Sequence, residues 1–177
     1  MVRLHVSSIG RLNVSTIGFR PIDPRESFID LNSHADTCVL DNNALLVEAP
    51  HPPRTATVSF ADPSLGSVEK PILSGALLYT STTTGRSVIL VVHQAIHIDS
   101  MEHSLLCPMQ LRDNDIFVDE CPKSKAQNPT IDTHTIRAQS TSKEVIRLPL
   151  RLRGVTSTLV VSKPTIQQYN ECDHIRR

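Results

Sequence analysis

The chain has no tryptophan, two tyrosines, four phenylalanines and six glycines in 177 residues. A core must therefore rest on valine, isoleucine and leucine, which together with the many threonines favour strands. With so few glycines, no glycine-rich phosphate loop can be drawn. Long apolar runs are also missing. Val88 to Ala95 is interrupted by His93 and Gln94, well short of the ~18 residues that span a bilayer as a helix. The first residues lack the apolar stretch of a signal peptide. The four cysteines, Cys38, Cys107, Cys121 and Cys172, show no paired spacing. That pattern points to reduced thiols in an intracellular, cytoplasmic protein.

Net charge is absent overall but unevenly spread. Residues 1–125 carry ten Lys/Arg against fourteen Asp/Glu, and residues 126–177 carry eight against four, so −4 is followed by +4. A basic tail of this kind suits nucleic acid or an acidic partner, but a solvated extension is the preferred reading.

Residues 1–25, ending in Arg20-Pro21-Ile22-Asp23-Pro24, read as a poorly structured leader because two prolines discourage regular structure. Strand-like texture begins at Ser27 to Leu31 and resumes at Thr37 to Leu40, and Asp41-Asn42-Asn43 marks a turn. Thr55 to Phe60 alternates, and Asp62 to Gly66 is a turn. Pro71 to Tyr79 and Ser87 to Ile98 form a predicted hairpin across a loop containing Gly85. The second of these strands is apolar on both faces for half its length, which predicts cover on both sides. Pro108 to Arg112 suits a short helix with proline in its first turn, and Ile116 to Val118 returns to a strand. Lys123 to Pro129 is a polar linker. Glu144 to Leu152 and Val155 to Val161 predict a late hairpin around Gly154.

The most informative run is Leu31-Asn32-Ser33-His34-Ala35-Asp36-Thr37-Cys38-Val39. With Asn32 taken as a replaced aspartate, it resembles the Asp-Ser-Gly-Ala-Asp-Thr signature of retroviral and copia-like retrotransposon aspartic proteases. A second block supports the resemblance: Val91 to Ile98, then Met101, His103, Ser104-Leu105-Leu106 and Gln110-Leu111. It is similar to the copia-type pattern of an apolar strand, a turn, Asn-Leu-Leu and a short helix. Val58 to Gly66 lies where the family places its flap. The resemblance spans residues 26–122. It implies an all-β, retropepsin-like closed or partly open β-barrel with one short helix, followed by a β-containing basic extension at 123–177.

The same resemblance assigns roles. Leu31 ends the strand that delivers the catalytic turn, Asn32 holds the catalytic aspartate's position, and Ser33 matches the hydroxyl residue that braces the neighbouring carboxylate. Ala35 and Asp36 fall on the substrate-binding part of the turn, and His34 stands where retroviral members have glycine. Such enzymes hold two carboxylates around one water and share a proton between them. A chain with one motif completes its site only as a homodimer on a two-fold axis. The implied substrate is a peptide or polyprotein segment, and no cofactor, metal or membrane is called for. Asn32 is the decisive departure, because an amide cannot act as a base. The implied function is an ancestral polyprotein-cleaving domain with impaired catalysis. A non-catalytic dimerisation or peptide-binding module is the alternative.

A rival reading gathers His34 with Cys38, His93 with His97, and His103 with Cys107 into a zinc-dependent binding protein. The short Cys-x2-Cys knuckles of zinc ribbons are missing, so His93 and His97 are expected as partly buried strand residues and His103 in a turn. Cys38 beside an imidazole would suit a thiol nucleophile, but no oxyanion turn accompanies it.

Overall fold

The computed structural model describes residues 27–59, 64 and 66–175. The predicted leader and most of the predicted Asp62–Gly66 turn lie outside the described residues. Strands β1 (Ser27–Leu31), β2 (Val39–Leu40), β3 (Leu45–Glu48), β4 (Thr55–Ser59), β5 (Ser67–Thr80), β6 (Ser87–His97) and β7 (Ser104–Leu106) precede helix α1 (Pro108–Asp113). Strands β8 (Phe117–Asp119), β9 (Thr135–Gln139), β10 (Val145–Pro149), β11 (Arg151–Arg153) and β12 (Thr156–Val161) follow. Helix α2 (Ile166–Glu171) and β13 (Asp173–Ile175) complete the described chain. The all-β expectation holds, with a second short helix added.

The principal sheet runs β11–β12–β1–β7–β2–β6–β5–β3, with β13 beside β6 and β4 beside β5. The described pairings do not close it into a barrel. Beyond β12 a single antiparallel bridge joins Leu78 to Ser162, with Leu78 N–H to Ser162 O at 2.8 Å and the reverse bond at 2.9 Å. A separate sheet, β10–β9–β8, packs against the principal one.

The apolar run Val88-Ile89-Leu90-Val91 is buried throughout because the sheet is covered on both faces. Val88 and Leu90 join Leu77, Tyr79, Ile29, Leu106 and Leu159 in the main core, which the small sheet completes with Ile136, Ala138, Ile146 and Leu148. Ile89 and Val91 join Ala76 and Leu78 on the other face, where Leu45, Val47, Tyr169 and Cys172 cover them. Full burial of each such side chain contributes roughly 1.5–3 kcal/mol before entropic costs. Gly75 allows the close approach of β2. A Cβ there would meet Leu40 Cδ1 at 2.6 Å and Ala44 Cβ at 3.3 Å.

The C-terminal segment belongs to this core. β12 pairs antiparallel with β1, placing Ser27 opposite Val161 and Asp30 opposite Thr158. β13 runs parallel to β6, with His174 opposite Ile89.

The predicted late hairpin around Gly154 is present as β11 and β12, but the extent of its first strand differs. Its first strand is two strands in two sheets, β10 pairing with β9 and β11 with β12. The break falls at Leu150, which is buried and donates its N–H to His134 O at 2.9 Å. Proline at 149 has no N–H to continue a ladder, and burying Leu150 redirects the chain from one sheet to the other.

The β4–β5 hairpin, with Val58 opposite Val68, projects as a two-stranded and largely exposed arm. A Lys70–Asp99 ion pair at 3.8 Å ties its base to the turn after β6. No helix among the described residues is long and apolar enough to cross a membrane.

Candidate functional site

β7 runs between β1 and β2, parallel to the first and antiparallel to the second. The segment joining β1 to β2 is therefore a turn that must pass over the end of β7. Asn32 N–H bonds Leu106 O at 2.9 Å and fixes the point where the chain leaves the sheet. Asn32 then organises the turn itself. Its Oδ1 accepts His34 N–H at 2.9 Å, and its carbonyl accepts Ala35 N–H at 3.2 Å. This is the Asx geometry to which asparagine and aspartate are suited.

The returning limb is held from α1. Gln110 Oε1 accepts Cys38 N–H at 2.7 Å and the Thr37 hydroxyl at 3.2 Å. Cys107 Sγ caps the helix by accepting Gln110 N–H at 3.4 Å, and Cys107 N–H in turn donates to Cys38 Sγ at 3.3 Å. Burial pushes the Cys38 thiol up to about 11, with the Cys107 N–H opposing and the neighbouring Cys107 thiol adding to the shift. A thiol held neutral in this way suits packing and accepting a hydrogen bond and does not suit nucleophilic attack.

The four residues assigned by resemblance sit together on this turn. Asn32 and Ala35 are half-buried, and Ser33 and Asp36 are exposed together with His34. Among the described residues, neither the Ser33 hydroxyl nor the Asp36 carboxylate has a hydrogen-bond or ionic partner. Ser33 therefore braces no carboxylate among the described residues.

Asp30 points elsewhere. Its Oδ2 lies 2.8 Å from His103 Nε2, and its buried Oδ1 has no hydrogen-bond partner among the described residues. Asp41 is buried and bonded to Ser104 and Asn43.

Among the described residues the zinc reading does not assemble. Ser74 Oγ lies 3.1 Å from His93 Nδ1, His103 faces Asp30, and Cys38 and Cys107 bond within the helix cap. Among the described residues no three His, Cys, Asp or Glu side chains gather around a point where a metal ion would sit. His93 and His97 are partly buried in β6, and His103 lies in a bend, as expected.

Sequence reasoning missed Gln110 as the anchor of the turn and Asp41 as a buried acid. The Asx pattern Asp41-x-Asn43 was the available signal for the second, and the first depends on a contact 72 residues away. An open cleft of about 540 Å³ is lined by Asp115, Phe117, Arg137, Gln139, Val145 and Ile175 among others, and by none of residues 32–36. Compared with family models, curated proteins and solved structures, the chain matches none.

Proposed function

We propose that the chain is a retrotransposon-derived aspartic protease-like domain, ancestrally cleaving a polyprotein and silenced by Asn32. The observation that carries this reading is the position of Asn32. It opens a tight turn at the end of β1, bonded to the end of β7 and held on its returning limb by the helix that follows β7. The signature and the second sequence block, about seventy residues apart, thus meet at one place, and the residues between the two limbs are presented outward.

In this reading two copies meet at the turn, and a peptide or polyprotein segment lies across the pair. The four free cysteines suit the reducing cytoplasm in which such a polyprotein would be processed. An amide at position 32 offers water no base, which removes a contribution of about 10²–10⁴ in rate. The engagement of Asn32 Oδ1 by His34 N–H favours a second use of the same surface, a dimerisation or peptide-binding module without chemistry.

The test compares the unmodified chain with Asn32→Asp on a denatured protein mixture, with and without pepstatin, while light scattering follows self-association. The unmodified chain is expected to cleave nothing. Asn32→Asp is expected to gain pepstatin-sensitive cleavage at mildly acidic pH, lost as pH rises and the shared proton leaves the pair. Pepstatin-sensitive cleavage by the unmodified chain would overturn the reading. A strict monomer at micromolar concentration would remove the shared site.

A further inference from the structure

We infer that Gln110 is the positioning residue of the Asn32–Thr37 turn, its amide oxygen tying the returning limb to α1. The functional consequence rests on the reading of the turn given above, but the positioning itself does not. The orientation of the amide is forced. Cys38 N–H can only donate, so the Gln110 atom 2.7 Å away must be the oxygen, and the Thr37 hydroxyl at 3.2 Å then donates to it as well.

One acceptor on one helix thus holds two consecutive residues of the limb. The helix has six residues and would be marginal alone. Its position is set by Pro108 in the first turn, by the Cys107 Sγ cap, and by Cys107 N–H donating to Cys38 Sγ. The bonds form a closed circuit: Cys38 to Gln110, Gln110 to Cys107, and Cys107 back to Cys38. Helix and limb therefore shift together or not at all, and the outward placement of Ser33 to Asp36 depends on where α1 sits. Sequence spacing gives no hint of this, because the circuit closes across 69 to 72 residues.

Two substitutions separate the acceptor from mere bulk. Gln110→Met fills similar space but cannot accept, whereas Gln110→Glu keeps an oxygen for both donors. In the unmodified chain, amide exchange at Cys38 is expected to quicken about tenfold in Gln110→Met, the scale of one lost hydrogen bond. It should return in Gln110→Glu, with exchange at Val91 in β6 unchanged in both. In the Asn32→Asp chain, Gln110→Met is expected to lower kcat about tenfold with little change in KM, and Gln110→Glu to restore it.

Unchanged exchange at Cys38 in Gln110→Met overturns the inference. Faster exchange at Val91 as well as Cys38 also overturns it, since the residue would then support folding in general. An active Asn32→Asp chain whose kcat ignores Gln110→Met overturns it too. If Asn32→Asp cleaves nothing, the protease reading loses its support while the Cys38 and Val91 exchange rates still decide the role of Gln110.

Discussion

Two turns flank β2 and share one backbone design. In the first, Asn32 Oδ1 accepts the N–H two residues on, and its carbonyl accepts the N–H three residues on. In the second, Asp41 does the same for Asn43 and Ala44, at 3.1 and 3.3 Å. The side chains around the two turns are treated in opposite ways. Asp41 is 1% exposed, and its carboxylate also accepts the Ser104 hydroxyl at 2.8 Å and Asn43 Nδ2 at 2.6 Å. Ser104 closes the loop by accepting Asp41 N–H at 3.1 Å. A buried acid so fully bonded serves the fold. Around Asn32 the backbone is pinned as firmly, yet Ser33 and Asp36 face solvent and have no bonding partner among the described residues. Polar groups that a fold holds in place without satisfying them are available to something outside it.

Both turns hang from a single core, and the largest expected effect tests that. Ending the chain after Pro122 removes β12 from the edge of β1 and β13 from β6, along with Ile136, Ile146, Leu148 and Leu159 of the core. Such a chain is expected to show no cooperative thermal transition. Stable, native-like folding of residues 1–122 would make the C-terminal segment an accessory and would detach it from both turns.

Next in size is the contrast between Asp41→Ala and Asn32→Ala. The first strands the buried Ser104 hydroxyl and breaks two further bonds from the exposed Asn43, and is expected to cost about 3 kcal/mol. The second loses one bond at a solvent-accessible site and is expected to cost about 1 kcal/mol or less. Urea denaturation of the two variants measures the difference. Equal costs would mean that burial does not distinguish the turns.

A smaller effect bears on the core that carries both turns. His134 is 7% exposed, with Nε2 2.9 Å from Ser157 Oγ. Burial lowers its pKa, with Asp119 opposing and Lys123 reinforcing the shift. The unfolded chain then takes up the proton first, so the stability from a neutral His134 is complete above the ordinary histidine value of about 6.5 and is lost as pH falls below it. Asparagine tolerates the left-handed backbone at this position, where φ is 57°. His134→Asn is therefore expected to flatten that part of the stability–pH curve, as read by denaturation across mildly acidic pH. An unchanged slope would place the titration elsewhere.

Legibility in the sequence followed locality. β1, β4, β6 and α1 could be read because alternation, apolar runs and an N-terminal proline act over a few residues. α2 carries a local signal of the same kind, a capping box in which Thr165 and Gln168 bond reciprocally. β13 carried none, since three residues become a strand only by lying parallel to β6. The split between β10 and β11 depends on which sheet buries Leu150, a tertiary choice beyond any local pattern. The turn was legible as residue types, but its anchoring through Gln110 was not, because that bond exists only once β7 lies between β1 and β2.

The smallest expected effect on stability is the sharpest statement about the exposed turn. Ser33→Ala and Asp36→Asn each remove a polar group that bonds nothing among the described residues, so urea midpoints should move by no more than about 0.5 kcal/mol equivalent. In the Asn32→Asp chain the same changes should matter. On the proposed reading Ser33→Ala removes the hydroxyl that would brace the neighbouring carboxylate and should lower kcat. On the proposed reading Asp36 accepts from substrate backbone N–H groups, so Asp36→Asn should raise KM more than it lowers kcat. If either change destabilises the unmodified chain by 2 kcal/mol or more, well beyond the ~0.5 kcal/mol scale of surface substitutions, its side chain serves the fold as Asp41 does. The distinction between the two turns would then fail.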